Sequence, residues 1–295
     1  MLLVDASVYI FRAWFSLPAT MTGPDGEPVN AAYGFADFLA GLLGETQPTH
    51  AAIAFDESLD SSFRNEIDPD YKANREPAPP SLKAQITVCM ALCRALGLAT
   101  LSSPRYEADD LIGTLAARAR QQGRAVTIVS TDKDLAQLLV DGDCLYDYAR
   151  GARLDPAAII ERFGVRCAQM PDYLGLVGDA VDNIPGVAGI GAKTAAALLA
   201  DGRDLDSLYA NLDAVAAMPI RGATAARRKL EAGREAAFRS RELARIVTDV
   251  PLDVGPEDIR WEGTDTAALV EWCDQLGLGS RLRQRLTDLC APHER

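Results

Sequence analysis

The chain has 295 residues, 48% hydrophobic and 24% charged, ordinary proportions for a globular protein and long enough for one large domain or two smaller ones. No apolar run approaches the ~20 residues of a membrane-spanning helix. The start, MLLVDASVYI, lacks the basic region and cleavage site of a signal peptide, so no membrane and a cytoplasmic setting are expected. Six cysteines without a CxxC pair and only two histidines argue against a zinc site, and the net charge of −12 argues, taken alone, against a nucleic-acid partner.

Along the chain, residues 2–4 (LLV), 51–55 (AAIAF), 98–101 (LATL) and 126–130 (VTIVS) read as buried strands. Residues 31–44, 81–96 and 107–121 between them read as amphipathic helices. Strand–helix alternation with continuous apolar strands predicts a parallel sheet covered on both faces. Residues 64–80, RNEIDPDYKANREPAPP, interrupt the pattern. Polar, partly basic and closed by prolines, they read as a long mobile excursion rather than a core element. From about residue 156 the strand pattern fades, and helices are expected at 156–163, 168–177, 192–200 and 225–246, with a glycine-rich break at 186–191. A boundary near 150–165 divides an α/β domain, 1–165 with the excursion inside it, from a helical subdomain, 166–258. The remainder, 259–295, has a helical pattern in which Trp261 and Trp272 read as packing residues. Cys89 and Cys93, four apart on a helix, read as sharing a core face, with reduced thiols as the ordinary state.

The placement of acids is the informative feature. Asp5 ends the first strand and Asp56 the second. Asp132 and Asp134 follow the fourth, in STDKD. Glu107, Asp109 and Asp110 open a helix, in EADDLIG, and Asp179 and Asp182 lie in the turn GDAVDNIPG. The carboxyl ends of strands in an open α/β sheet form its ligand crevice, so all nine can meet at one site. Each alone has an ordinary explanation: a turn or cap for a strand-ending Asp, a helix dipole for 107–110, a phosphatase for 132 and 134. Together they repel. Two carboxylates about 5 Å apart cost roughly 3 kcal/mol at an effective dielectric near 20, so a cluster needs divalent cations or bound protons. Oxygen-only ligands favour Mg²⁺ or Mn²⁺, and a pair of such ions can activate water and stabilise the leaving oxygen of a phosphodiester. With these nine counted out the net charge is −3, which weakens the objection to a nucleic-acid partner.

Basic residues complete the pattern. Segment 221–245 holds eight arginines and lysines against three glutamates, which suits either a solvated, ion-paired helix face or a phosphate-binding one. Segment 186–194, GVAGIGAKT, departs from a Walker loop because Ala192 separates Gly191 from Lys193. It reads better as a helix–hairpin–helix, in which Gly186, Gly189 and Gly191 allow backbone amides, with Lys193 and Thr194 beside them, to approach a phosphate. Lys72 and Arg75, in YKANR, suit a clamp on the scissile phosphate, and Tyr71 suits stacking on an unpaired base.

The order LLVDAS…FRA, AFD, YKANR, EADD, STDKD and GDAVDNIPGVAGIGAKTA resembles the 5′–3′ exonuclease and flap endonuclease family over about residues 1–255. That family includes the 5′ nuclease domain of bacterial DNA polymerase I and stand-alone relatives. The resemblance implies a PIN-like parallel sheet flanked by helices, a helical arch over the site, and a C-terminal helix–hairpin–helix (H3TH) subdomain. It implies one divalent ion among Asp5, Asp56, Glu107, Asp109 and Asp110, and a second among Asp132, Asp134, Asp179 and Asp182. Lys72, Arg75, Asp132 and Asp134 would carry catalysis, Mg²⁺ or Mn²⁺ would be the ions, and K⁺ would sit at the hairpin. The family usually has Gly where this chain has Ala6, so the turn after Asp5 is expected to differ slightly. The implied partner is DNA with a 5′ end or flap, with an RNA/DNA hybrid as a further substrate and a functional link to a polymerase and ligase. Two other readings stand beside this one: a junction-binding protein without turnover, and a ribonuclease directed at RNA primers.

Overall fold

Every strand expected from a continuous apolar run forms. A computed structural model describes residues 1–56, 62–263 and 266–289. Its first half runs β1 (Leu2–Asp5), α1 (Ala6–Ser16), α2 (Asn30–Thr46), β2 (Ala51–Asp56), α3 (Arg64–Ile67), α4 (Pro80–Ala95), β3 (Ala99–Ser103), α5 (Ala108–Gln121) and β4 (Thr127–Val129). There follow β5 (Cys144–Asp147), β6 (Ala152–Leu154), α6 (Pro156–Phe163), α7 (Met170–Val177), α8 (Ala192–Leu198), α9 (Leu205–Ala210), α10 (Ala223–Ala232), α11 (Arg234–Ala244), α12 (Thr266–Gln275) and α13 (Ser280–Asp288). The sheet order is β3-β2-β1-β4-β5-β6, parallel except for the antiparallel edge strand β6. The chain leaves β1 toward β2 and β3 and then crosses back to β4 on the other side of β1. This reversal is a topological switch point, where open α/β sheets carry their ligand crevice.

Two apolar cores lie behind this arrangement. One gathers Leu111, Leu115 and Ile128 with the helical residues Leu174, Leu198, Leu230 and Leu243. The other gathers Val4, Phe35, Leu39, Phe55, Leu92 and Cys93 with Leu269, Trp272 and Leu286 of the last two helices. The 259–295 segment is thus no separate tail over its described part; α12 and α13 cover α4 and α2. Residues 246–259 return from the helical region along α5: Val250 N bonds Thr114 Oγ1 at 3.1 Å, and Arg118 Nη1 bonds the carbonyls of Leu252 and Val254 at 2.8 and 2.7 Å.

Several expectations change. The helix expected over 225–246 is two, α10 and α11, meeting at Gly233, where a Cβ would lie 2.9 Å from Val187 Cγ1. Segment 64–80 is neither a free excursion nor an arch of helices. It carries the one-turn α3 and a run of turns docked on the 179–184 loop, with Lys72 N bonded to Asp182 O at 3.0 Å and Asn74 Nδ2 to Ala180 O at 2.9 Å. Ala6 opens α1 directly, in helical conformation and fully buried, so Ala in place of Gly costs nothing there. Cys89, Cys93, Cys144 and Cys167 are free thiols, while Cys290 lies outside the described residues. No helix among the described residues is long and apolar enough to cross a membrane.

Candidate active site

The crevice is built from chain ends. Asp5 closes β1 and caps α1: its Oδ1 accepts from Ser7 N at 3.1 Å, and its Oδ2 from Ser130 Oγ, just past β4, at 2.8 Å. Asp56 closes β2 and joins two helix starts, accepting from Ser7 Oγ at 2.7 Å and from Ala108 N at 2.9 Å. Glu107 caps α5, with Asp109 one residue into that helix. Beyond β4, Ser130 Oγ accepts from Asp132 N at 3.0 Å and Asp132 Oδ1 from Asp134 N at 2.9 Å, so the STDKD turn is locked by its own side chains. Asp179 begins the loop after α7, closed by paired backbone bonds with Ile184 at 2.7 and 2.8 Å, and Asp182 lies inside it.

These acids feel one another's charge. Burial, then Asp56 and Asp132, pushes the Asp5 carboxyl up to about 7. Burial and Asp132 push Asp134 up to about 7. Asp109 rises well above the ordinary range through burial and then Asp132, Asp5 and Asp56, and Asp132 rises through burial, its Asp134 hydrogen bond only partly opposing that. Four cations relieve the rest, Lys72, Arg75, Lys133 and Arg64. Lys72 Nζ stands 2.7 Å from Glu107 Oε2 and 3.7 Å from Asp182 Oδ2, and Arg75 pairs with Asp182. Lys133, which sequence reasoning passed over although it sits between two site acids, pairs with Asp179 and lies 3.4 Å from Asp134 Oδ1. Burial alone would raise Glu107 and Asp179; Lys72 with Arg64, and Lys133, outweigh it and hold both below the usual range.

The donor set fits hard divalent ions, being carboxylate oxygen throughout. Asp134 Oδ1 is buried and accepts no hydrogen bond among the described residues, an orphan that an ion would satisfy. No three of these carboxylates yet close on one point as a coordination shell among the described residues. Mutual repulsion and the bridging lysines account for that spacing.

Three expected site residues fall elsewhere. Asp110 is fully buried and has no free lone pair to offer: Oδ1 accepts from Arg64 Nη2 and Val247 N, both at 2.8 Å, and Oδ2 from Arg64 Nη1 at 2.8 Å and Glu107 N at 3.0 Å. The ligand role expected for it is therefore withdrawn. Tyr71 is 4% exposed, its hydroxyl 3.2 Å from Glu107 Oε2 and 3.3 Å from Asp182 Oδ2, so its ring is not presented for stacking on a base. Gly186 is buried and gives its N–H to Ser240 Oγ at 3.0 Å, so it offers no amide to a phosphate. Gly189, Gly191 and Lys193 are exposed, Thr194 half-buried, and Lys229 Nζ donates to Gly189 O at 2.9 Å. In the basic segment, Arg227, Arg239 and Arg241 are ion-paired with Asp213, Asp68 and Asp206, whereas Arg221 and Arg228 are exposed.

Family models for the two parts of a 5′–3′ exonuclease, its N-terminal resolvase-like domain and its C-terminal SAM fold, match residues 1–164 and 165–267. The chain belongs to the 5′–3′ exonuclease family. It is 44% identical to DNA polymerase I of Pseudomonas aeruginosa over 255 residues, 86% of this chain and 28% of that one. It is 34% identical to a 5′–3′ exonuclease of Buchnera aphidicola over 274 residues, 92% of this chain and 95% of that one. The chain thus spans 28–33% of the length of the DNA polymerase I relatives. Its fold is similar to that of phage T5 5′-exonuclease with bound divalent zinc ions, at a TM-score of 0.66 and 20% identity, covering 98% of this chain and 97% of that one. It is also similar to a T5 flap endonuclease pseudo-enzyme–product complex with DNA and metal ions, at a TM-score of 0.64 and 21% identity, with the same coverage.

Proposed function

We propose that this chain is a divalent-metal-dependent, structure-specific 5′ nuclease that hydrolyses phosphodiester bonds in DNA bearing a 5′ end or flap. The observation that carries the proposal is the meeting of carboxylates from β1, β2, the start of α5, the β4 turn and the 179–182 loop at the switch point of a 5′–3′ exonuclease fold. Asp5, Asp56, Glu107 and Asp109 would hold one ion, and Asp132, Asp134, Asp179 and Asp182 a second. Mg²⁺ or Mn²⁺ held there would supply an activated water and stabilise the leaving oxygen.

The chain's own residues do the rest. Lys72 and Arg75 are held over the crevice by the docked 68–75 turns, where they can exchange a carboxylate for the charge developing on the scissile phosphate. Ser7 and Ser130 fix Asp5 and Asp56 by hydrogen bonds. The exposed backbone at Gly189 and Gly191, with Lys193, faces outward to track duplex phosphates without reading sequence. K⁺ at this hairpin would compete with Lys229 for the Gly189 carbonyl.

DNA polymerase I relatives that contain a matching segment support a functional link to a polymerase, and through the nick it leaves to a ligase. A cytoplasmic setting is part of this proposal, and the bacterial source of the relatives supports it. Cleavage of a 5′-labelled flap, with and without Mg²⁺, by the native chain and by Asp132→Asn tests the proposal. Loss of product in a variant that still folds is expected. Flap binding in Ca²⁺ with no turnover of the native chain in Mg²⁺ or Mn²⁺ would point instead to a junction-binding protein. Matched DNA and RNA flaps separate a nuclease for DNA from one for RNA primers.

A further inference from the structure

Arg64 and Asp110 form a buried contact that the nuclease reading leaves without a role. Arg64 is 2% exposed and Asp110 0%. The guanidinium meets the carboxylate with both Nη atoms at 2.8 Å, the fork geometry that gives such pairs their directionality. Its other donors reach across the molecule: Nε to Leu243 O and Nη2 to Arg245 O, each at 2.8 Å. These carbonyls lie at the end of α11, where a helix has no partners of its own for them and favours a cation. Asp110 does the converse at the start of α5. It takes the N–H of Glu107, closing the capping box of the helix that carries Glu107 and Asp109, and takes Val247 N from the strand of chain leaving α11.

One ion pair therefore touches three units: the root of the 64–79 segment that delivers Lys72 and Arg75, the first turn of the acid-bearing helix, and the end of the helical region. We propose that Arg64 and Asp110 are positioning residues, a dry joint that sets the first turn of α5 against the helical region, and that Asp110 binds no ion. The inference rests on the nuclease reading above. Its physical basis is that all four acceptor positions of Asp110 are filled by protein donors. A ligand would have to surrender several of them and leave Arg64 as an uncompensated buried charge. Displacing Glu107 by a fraction of an ångström is enough to slow a reaction that depends on alignment.

The test uses the full chain with Arg64→Lys, which keeps a cation but loses the fork, together with Asp110→Asn, and with Asp109→Asn as a ligand control. Mn²⁺ is titrated by calorimetry, single-turnover flap cleavage is followed in Mg²⁺, flap affinity is measured in Ca²⁺, and amide exchange is followed across 105–111 and 243–248. Arg64→Lys and Asp110→Asn are expected to slow cleavage about tenfold or more. They should keep the native number of Mn²⁺ ions and nearly native flap affinity. Arg64→Lys should also speed exchange at the Glu107 and Val247 amides, far along the chain from the substitution. Loss of a Mn²⁺ ion in Asp110→Asn, as in Asp109→Asn, makes Asp110 a ligand and overturns the proposal. So does a lowered melting temperature in Arg64→Lys with an undiminished cleavage rate, which would leave the pair a mere buttress. If Asp110→Asn does not fold, Arg64→Lys alone decides. A native chain that neither binds Mn²⁺ nor cleaves would sink the nuclease reading instead, and exchange in Arg64→Lys would still decide whether the joint exists.

Discussion

Lys72 bridges Glu107 and Asp182, which belong to the two ion groups and stand 75 residues apart in sequence. Its backbone is left-handed, with φ at 56°, a conformation that the docking of Lys72 N on Asp182 O holds in place. A side chain so placed is arranged for the site rather than for the surface. Lys72→Ala is expected to lower kcat on a 5′ flap by about 10²-fold, the usual loss for one charge-stabilising donor, while Mn²⁺ still binds. Undiminished turnover would remove Lys72 from the chemistry. The acids allow a second prediction, on pH. The Asp5 and Asp134 carboxyls are pushed up to about 7 from an ordinary 3.8, so folding takes up protons between those limits. Stability without metal is therefore greatest near the lower limit and falls as pH rises through the upper one. Asp109 and Asp132, also raised, act in the same direction. Glu107 and Asp179, held down by cations, contribute stability that is lost only on acidification below their ordinary range, outside this window. In EDTA the melting temperature should fall from about pH 5 to about pH 8, and Mg²⁺ should raise it more at the higher pH. A melting temperature in EDTA that rises over that interval contradicts the account.

At the scale of elements, what the sequence made legible follows the strength of local pattern. Continuous apolar runs such as AAIAF can only be buried strands or core helix, and flanking turn residues decided for strands. Helix α1 escaped notice because Asp5 is both the last residue of β1 and the cap of α1, so no turn separates the two. Strands β5 and β6 escaped because they have four and three residues, with mixed polarity. The carboxylates were legible as a group because strand ends recur at the crevice. Asp110 misled because its neighbour Asp109 has the same chemistry, and what separates them is a partner, Arg64, 46 residues away in a segment that looks unstructured. Tyr71 misled for the same reason: YKANR reads as loop, and its burial depends on the distant 179–184 loop. That loop and the hairpin after it yield a third prediction. Gly186 has φ at 63°, and a Cβ on it would lie 2.4 Å from Gly178 N and 2.6 Å from Val177 C. Gly186→Ala is expected to destabilise by more than about 1 kcal/mol in urea unfolding and to weaken flap binding. Gly191, whose φ is −100° and whose Cβ would meet open space, should accept Ala with little change in stability. Equal midpoints for the two variants would refute this account of the hairpin.

Across the whole molecule, the two cores divide the labour. One joins the sheet to the helical region through α5, and the other carries α1, α2 and α4 under the far face of the sheet and is closed by α12 and α13. The crevice lies at strand ends that both cores support, and the last helices bear on it through α2 and α4, which share the second core with α1, whose cap is Asp5. Trp272 is the anchor of that closure. It is 6% exposed, packs in the second core, and donates Nε1–H to Val88 O of α4 at 3.2 Å; Arg285 of α13 pairs with Asp37 of α2. Removing a buried Trp side chain typically costs about 3–5 kcal/mol, and here it also removes the hydrogen bond to Val88 O. Trp272→Ala should therefore lower the melting temperature markedly. Among the described residues no hydrogen bond joins Trp272 to a crevice carboxylate, so the fraction that remains folded at low temperature should bind Mn²⁺ and cleave a flap at the native rate. If cleavage per folded molecule falls while the melting temperature holds, α12 belongs to the site rather than to the scaffold, and the division between the two cores is wrong. If both fall together, the second core reaches the crevice through α1 more strongly than its contacts indicate, and Asp5 is the residue whose Mn²⁺ affinity should then drop.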